Sequence, residues 1–161
     1  MAMAILRGWP GLVVALAVCF AAAGIGGWFT ARSVGEWYAD LSKPAWTPPD
    51  SIFGPVWSLL YALMAVALWL VWRKVDEADF ALPTVVFGVQ LVLNVVWSML
   101  FFGIRRPDLA FAEVILLWLA ILATAVTFWP HSRLAAALLT PYLAWVGFAS
   151  ALNLAIWRMN G

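Results

Sequence analysis

The sequence predicts an all-α membrane protein, a bundle of five transmembrane helices with a long folded loop between the first two. The chain is 66% apolar and only 11% charged, whereas soluble domains carry about 25% charged residues. A helix needs about 20 mostly apolar residues to cross the hydrocarbon core. Stretches of about that length without Asp, Glu, Lys or Arg are residues 8–31, 51–72, 80–104, 114–132 and 134–157. They fill most of the chain, which predicts a single integral membrane domain over residues 1–161.

The predicted helices span about residues 9–29, 54–72, 81–104, 108–129 and 134–157. The first of them resembles a signal peptide, because Arg7 precedes an apolar run that ends in small residues. However, the uncharged run continues through Trp28 and Phe29, so we expect this helix to be retained. Its end, "AAAGIGG", places small residues four apart, which lets membrane helices approach closely. Packing within the bundle is the favoured interpretation of that spacing, and a dimer seam is the alternative.

The loop over residues 30–53 is too long for a plain connection. Long loops in compact domains are usually functional or disordered, and this one contains Trp37, Tyr38 and Trp46, which disordered segments tend to lack. Its prolines restrict the backbone to extended conformations. We therefore expect the loop to fold against the bundle as a lid, with Pro55 near the first position of the second helix.

Polar and aromatic residues recur at helical spacing in the second, third and fifth helices and share one face of each. These faces carry Trp57, Tyr61, Met64 and Leu68, then Gln90, Asn94, Trp97 and Phe101, then Tyr142, Trp145, Ala149 and Asn153. A carboxamide cannot face lipid cheaply, so we expect Gln90, Asn94 and Asn153 to point inward. The faces predict a pocket for a flat, apolar, ring-shaped ligand. The alternative is that amides and aromatics only join the helices.

Ionisable groups inside the predicted spans are few. Glu113 is a candidate proton relay by its position in a span. It follows Asp108 by five residues, about 7.5 Å along a helix, so we expect it to reach the membrane interface by snorkelling. His131 is predicted to be a solvated loop residue, and no pattern of metal ligands accompanies it. The net charge of +1 gives no indication of a nucleic-acid partner.

Three blocks of the sequence resemble the TspO/translocator-protein family, also called tryptophan-rich sensory proteins or peripheral-type benzodiazepine receptors. They are "EWYADLSKPAWTPPDSIFGPVWSLLYALM" (36–64), "QLVLNVVWSMLFFG" (90–103) and "PYLAWVGFASALNLAIWR" (141–158). The resemblance covers about residues 28–160 and is to bacterial members. It implies a five-helix bundle in the bacterial cell membrane, often a homodimer, that binds protoporphyrin IX or a related tetrapyrrole. Drugs of the benzodiazepine-receptor type are further implied ligands, and no cofactor is required.

The resemblance also implies which residues form the site. It matches Trp46, Trp57, Asn94, Trp145 and Ala149 to the family's ligand cavity under the first loop. Where bacterial members are linked to light-dependent porphyrin breakdown, the corresponding catalytic pair is Trp57 and Trp145. Together with the three helix faces, the predicted ligand-binding residues are Trp46, Trp57, Tyr61, Gln90, Asn94, Trp97, Tyr142, Trp145, Ala149 and Asn153.

Two further expectations follow from the resemblance. Lys43 or Arg32 is expected to meet the anionic propionates of a porphyrin, and ordinary interfacial charge is the alternative. Leu154 stands where eukaryotic members carry the tyrosine of a proposed cholesterol motif, a weak motif even when intact. Specific cholesterol binding is therefore not expected.

The sequence leaves more than one function open. The leading prediction is a tetrapyrrole-binding regulator or sensor that promotes light-dependent porphyrin degradation without the machinery of a conventional enzyme. The alternatives are a transporter of tetrapyrroles or related amphiphiles, and a structural bundle whose cavity is incidental.

Overall fold

The chain folds into helices joined by short connections, with one longer connection of residues 32–49. The computed structural model describes residues 2–161, and no strand occurs in that range. The helices are α1 (Ala2–Arg7), α2 (Trp9–Ala31), α3 (Trp37–Asp40), α4 (Asp50–Trp72), α5 (Ala81–Ser98), α6 (Pro107–Phe128), α7 (Arg133–Leu138) and α8 (Thr140–Asn160). A π-helical turn, Met99–Gly103, extends α5.

Five segments are long and apolar enough to cross a membrane, which confirms the predicted fold class. They are Trp9–Ala31, Asp50–Trp72, Ala81–Gly103, Pro107–Phe128 and Arg133–Asn160. In the bundle, α2 packs against both α4 and α5, and α6 packs against α5 and α8. The short helix α7 contacts both α4 and α6 and so closes the ring.

The second span begins four residues earlier than predicted, at Asp50, and Pro55 lies inside α4 rather than near its first position. The prediction was wrong because α4 continues through Pro55 close to its start, although the proline loses one hydrogen bond and crowds the carbonyl of Ser51. The first four N–H groups of a helix lack intrahelical partners in any case. One extra helical turn, Asp50–Phe53, therefore precedes Pro55 beside the loop.

The fifth span is interrupted, although the sequence predicts one helix over residues 134–157. Helix α7 ends at Leu138 and α8 starts at Thr140, with Pro141 in its first turn. Pro141 has no N–H to donate, and its ring would clash with the carbonyl of Ala137, so a continuous helix is disfavoured. Helix α7 has its own N-cap, in which the Ser132 hydroxyl accepts a bond from the Ala135 N–H at 3.2 Å.

The π-helical turn alters the direction of the side chains at the end of the third span. Its hydrogen bond runs from the Ile104 N–H to the Met99 carbonyl at 2.8 Å, and Arg105 ends it with a φ of 60°. An extra residue in one turn rotates the following side chains relative to an α-helix. Phe101 and Phe102, adjacent in sequence, consequently both reach the interior cavity.

Glu113 does not reach the membrane interface, contrary to the sequence prediction. Its side chain is 7% exposed, and none of the described residues donates a hydrogen bond to either carboxyl oxygen. Glu113 shares a helix face with Ala110 and Leu117, three residues before it and four after, and both are buried. The packing of that face therefore carries the carboxyl group into the bundle.

The small residues at the end of α2 serve packing inside the bundle. Ala22 and Gly26 are buried, and a Cβ atom at Gly26 would lie 3.1 Å from the Ser98 hydroxyl oxygen of α5. Gly27 has no such neighbour within 4 Å. The close approach of α2 to α5 thus depends on Gly26, and the dimer seam stays a prediction.

Replacing Gly26 by leucine is expected to destabilise the bundle, since the new side chain would be driven into Ser98. Overpacking a core typically costs about 1–3 kcal/mol, so the thermal unfolding temperature in detergent should fall by several degrees. Gly24→Leu is the matched control, because Gly24 is exposed and a Cβ there meets no atom within 4 Å. Equal melting temperatures for the two variants would contradict this account of the α2–α5 contact.

Candidate functional site

A cavity of about 490 Å³ lies between α2, α4, α5 and α8, beneath the connection of residues 32–49. Small-molecule and cofactor sites usually measure about 300–1,000 Å³ and are lined mostly by apolar and aromatic side chains. The floor and walls here are of that kind, and the connection contributes Val34 and Tyr38 to the lining. This cavity is the candidate functional site.

The structure brings most of the predicted ligand-binding residues to this cavity. Those that line it are Trp57, Tyr61, Asn94, Trp97, Trp145, Ala149 and Asn153. Gln90 and Tyr142 lie outside the lining, and both are about 1% exposed. Trp46 also lies outside it, half exposed, with its ring 5.8 Å from that of Phe148. Trp46 thus packs edge-on against Phe148 and does not line the cavity, and its contact with a ligand stays a prediction.

Two indole rings form part of the wall where α4 meets α8. On α4, Trp57 lies with its ring centroid 5.8 Å from Tyr61 and 6.2 Å from Tyr142. On α8, Trp145 lies 5.7 Å from Phe53 in an edge-to-face arrangement. Such pairs stabilise each other by about 0.5–1.5 kcal/mol beyond the burial of area. The two indoles are therefore held in defined orientations before any ligand enters.

A chain of buried hydrogen bonds runs through the cavity floor. The Tyr61 hydroxyl donates to Asn94 Oδ1 at 2.6 Å, and Asn94 Nδ2 donates to the Tyr142 hydroxyl at 2.7 Å. The Tyr142 hydroxyl then donates to Gln90 Oε1 at 3.0 Å. This polar chain, Tyr61–Asn94–Tyr142–Gln90, joins α4, α5 and α8. Gln90 therefore serves interhelical bonding, while Asn94 both bonds the helices and lines the cavity.

A second polar contact fixes the wall on the side of α6. Trp97 Nε1 donates to Asn153 Oδ1 at 3.1 Å, and Asn153 Nδ2 donates to the Pro107 carbonyl at 2.7 Å. Trp97 also stacks on Phe101 with ring centroids 5.4 Å apart. The side chain of Asn153 thus links three helices and holds the Trp97 ring in the wall.

The sequence prediction missed the side of the cavity formed by α2 and the connection. Those lining residues are Phe20, Ala23, Gly26, Gly27, Thr30, Ala31, Val34 and Tyr38. A signal was present, because Ala23, Gly27 and Ala31 are small and recur every four residues on one helix face. Small side chains on that face leave the room that the larger rings of α4, α5 and α8 surround.

One pair of hydrogen bonds holds the connection over the bundle, and contacts of Lys43 stabilise the connection internally. The Ser42 N–H donates to Asn160 Oδ1 at 2.9 Å, and Asn160 Nδ2 donates back to the Ser42 carbonyl at 2.8 Å. The Lys43 ammonium donates to the Tyr38 carbonyl and lies 4.4 Å from the centre of the Tyr38 ring. The pKa of Tyr38 is raised to about 12, first by burial and then by the charge of Asp50, so its hydroxyl stays neutral.

None of the described residues forms a group of His, Cys, Asp and Glu side chains able to hold a metal ion. His131 lies in the turn between α6 and α7, at the end of the molecule away from the cavity lining. The chemistry available at the site is that of aromatic rings, amides and hydroxyl groups, with the carboxylate of Asp50 at its loop end.

Comparison with known proteins gives a family match over most of the chain. A family model described as the TspO/MBR family matches residues 15–158. The chain is 42% identical to "Tryptophan-rich protein TspO" of Archaeoglobus fulgidus, covering 98% of this chain and 99% of that protein. It is 41% identical to "Translocator protein" of Homo sapiens, covering 78% and 75%. It is 35% identical to "Tryptophan-rich sensory protein" of Cereibacter sphaeroides, covering 94% and 92%.

Replacing Asn94 by leucine is expected to lower the stability of the bundle. The variant removes two links of the polar chain, and the buried Tyr61 hydroxyl loses its acceptor, which typically costs about 1–3 kcal/mol. Thermal unfolding in detergent measures the effect. Ser150→Ala is the control, because the Ser150 hydroxyl bonds only the Val146 carbonyl of its own helix. An Asn94→Leu variant as stable as Ser150→Ala would show that the polar chain does not hold the helices together.

Replacing Asn160 by alanine is expected to loosen the connection without unfolding the bundle. The variant loses both bonds to Ser42, so amide hydrogen exchange in residues 41–49 should become faster. Exchange in α5 should not change. Arg158→Ala, an exposed change in the same helical turn, is the control and should leave exchange in the connection as in the wild type. Unchanged exchange in the Asn160→Ala variant would contradict a holding role for these bonds.

Proposed function

This chain is an integral membrane protein of the TspO/MBR family, and on that premise we propose that it binds tetrapyrroles such as protoporphyrin IX. The observation that carries the proposal is the aromatic cavity with Trp57 and Trp145 in its walls. A porphyrin is a large flat π-system, and indole rings stack on such systems or meet their edges. The cavity volume, about 490 Å³, is in the range of small-molecule and cofactor sites.

We infer that the protein acts as a regulator or sensor of tetrapyrrole metabolism. Support comes from the name of the Cereibacter sphaeroides relative, which describes it as a sensory protein. It also comes from the position of the cavity beneath the connection, which two hydrogen bonds between Ser42 and Asn160 join to the end of α8. Ligand binding beneath such a segment can make the segment more or less ordered, and a partner protein that contacts the segment can respond to that change. The bacterial cell membrane is the proposed location.

We further propose that bound porphyrin is degraded in light through its contact with the indoles. A photoexcited porphyrin takes one electron from an adjacent indole, so the porphyrin is reduced and Trp57 or Trp145 is oxidised. Dioxygen is the co-reactant: it adds across one carbon–carbon bond of the macrocycle and opens it, and the electron returns to the indole, so the net reaction joins one porphyrin and one dioxygen. The protein's own contribution is to hold the donor ring against the acceptor in a water-poor site. Drugs of the benzodiazepine-receptor type, which also carry flat aromatic rings, are proposed to enter the same cavity.

The test is a titration of the purified protein with protoporphyrin IX, followed by porphyrin absorbance and fluorescence. Trp57→Phe and Trp145→Phe should each raise the Kd by about 2- to 10-fold, because each loses part of an aromatic contact. Under illumination, both variants should also consume bound porphyrin more slowly than the wild type at equal occupancy.

The control is Trp129→Phe, since Trp129 is 56% exposed at the far end of α6 and does not line the cavity. It should bind and consume porphyrin as the wild type does. Saturable binding that none of the three substitutions alters would place the porphyrin elsewhere on the protein. Absence of saturable binding to the wild type would remove the proposed function altogether.

A further inference from the structure

The basic residues of the connection do not face the cavity, although the sequence predicts that they meet porphyrin propionates. The Lys43 ammonium is engaged by the carbonyls of Tyr38 and Ala39. The Arg32 guanidinium lies 3.9 Å from the centre of the Trp28 ring. Neither residue lines the cavity, so in this arrangement no cation is placed to neutralise a carboxylate inside it.

The charge at the cavity is negative instead. Among the described residues that line it, Asp50 is the only one with a charged side chain. Asp50 is the first residue of α4 and is exposed at the loop end of the cavity. The ion pairs among the described residues join Arg7 to Asp76 and Arg106 to Asp108, so Asp50 has no basic partner there.

The field of Asp50 reaches the interior side of the connection. Tyr38 lines the cavity and is 4% exposed, and the charge of Asp50 adds to burial in raising the pKa of its hydroxyl. A ligand edge in the space beside Tyr38 would therefore meet the same charge. Charges near a protein surface interact more strongly than charges in bulk water.

We propose that Asp50 determines the charge selectivity of the cavity. Its carboxylate disfavours a ligand carboxylate at the loop end and favours a ligand edge that is neutral, donates hydrogen bonds or is cationic. The inference rests on the proposed function for the ligand class and deepens it. A dicarboxylic porphyrin is bound with its propionates directed away from Asp50, and an uncharged porphyrin of the same shape is bound more tightly.

The experiment compares protoporphyrin IX with its dimethyl ester, in which methyl groups cap both propionates and remove their charge. Both are titrated into the wild type and the Asp50→Asn variant in neutral detergent at pH 7. The wild type should bind the dimethyl ester more tightly than the diacid. Asp50→Asn should lower the Kd of the diacid by about 3- to 10-fold, the size expected for one partly screened pair of charges. It should leave the Kd of the ester unchanged.

Asp40→Asn is the matched control, because Asp40 is an exposed carboxylate at the end of α3 that does not line the cavity. It removes the same net charge and should not alter either affinity. A salt series gives a second measurement. In the wild type, the ratio of the Kd of the diacid to the Kd of the ester should fall as ionic strength rises. In Asp50→Asn, the same ratio should not change with ionic strength.

The outcomes separate the two proposals. The role of Asp50 is overturned, while porphyrin binding stands, if the wild type and Asp50→Asn bind the diacid with the same Kd. It is also overturned if Asp50→Asn lowers the Kd of the diacid and of the ester by the same factor. The same tightening of the diacid in Asp40→Asn also overturns it, because it would reflect net charge alone. If the wild type binds neither porphyrin, the proposed function fails, and the selectivity proposed for Asp50 fails with it.

Discussion

The polar chain Tyr61–Asn94–Tyr142–Gln90 is the interaction on which the site depends. Its bonds of 2.6 to 3.0 Å connect α4, α5 and α8 in a region where lipid offers no replacement partner. Each hydroxyl and amide group in the polar chain is held in position by its hydrogen bond to the neighbouring group. The helices that carry Trp57 and Trp145 are consequently fixed relative to each other at the cavity floor, and the walls above it cannot simply collapse together.

The cavity above this floor exists because the surrounding helices differ in the size of their side chains. The face of α2 toward it is built from alanine and glycine, whereas α4, α5 and α8 contribute large rings. Gly26 brings α2 close to Ser98 of α5, and the π-helical turn after α5 directs Phe101 and Phe102 inward. The result is a space bounded by rigid aromatic groups, which suits a flat ligand.

The charge of the site and its aromatic rings come from different parts of the chain. The indole and phenol rings come from residues within the spans, where burial of apolar area determines their positions. The charge comes from the loop end, where Asp50 begins α4 while Lys43 and Arg32 are held on Tyr38 and Trp28. Binding energy for a tetrapyrrole is thus proposed to come from the rings, and discrimination among tetrapyrroles from one carboxylate.

The five spans, and the inward faces of the helices that carry Asn94 and Asn153, could be predicted from the residues alone. Both follow from local chemistry, since uncharged apolar runs partition into lipid and amides avoid it. The positions of Trp46 and Glu113 could not be predicted in this way, because they depend on packing against Phe148 and within the bundle. The same holds for the interruption before α8 and for the cavity face of α2. Periodicity assigns a residue to a helix face, but the neighbour that meets that face is set by how all the helices pack.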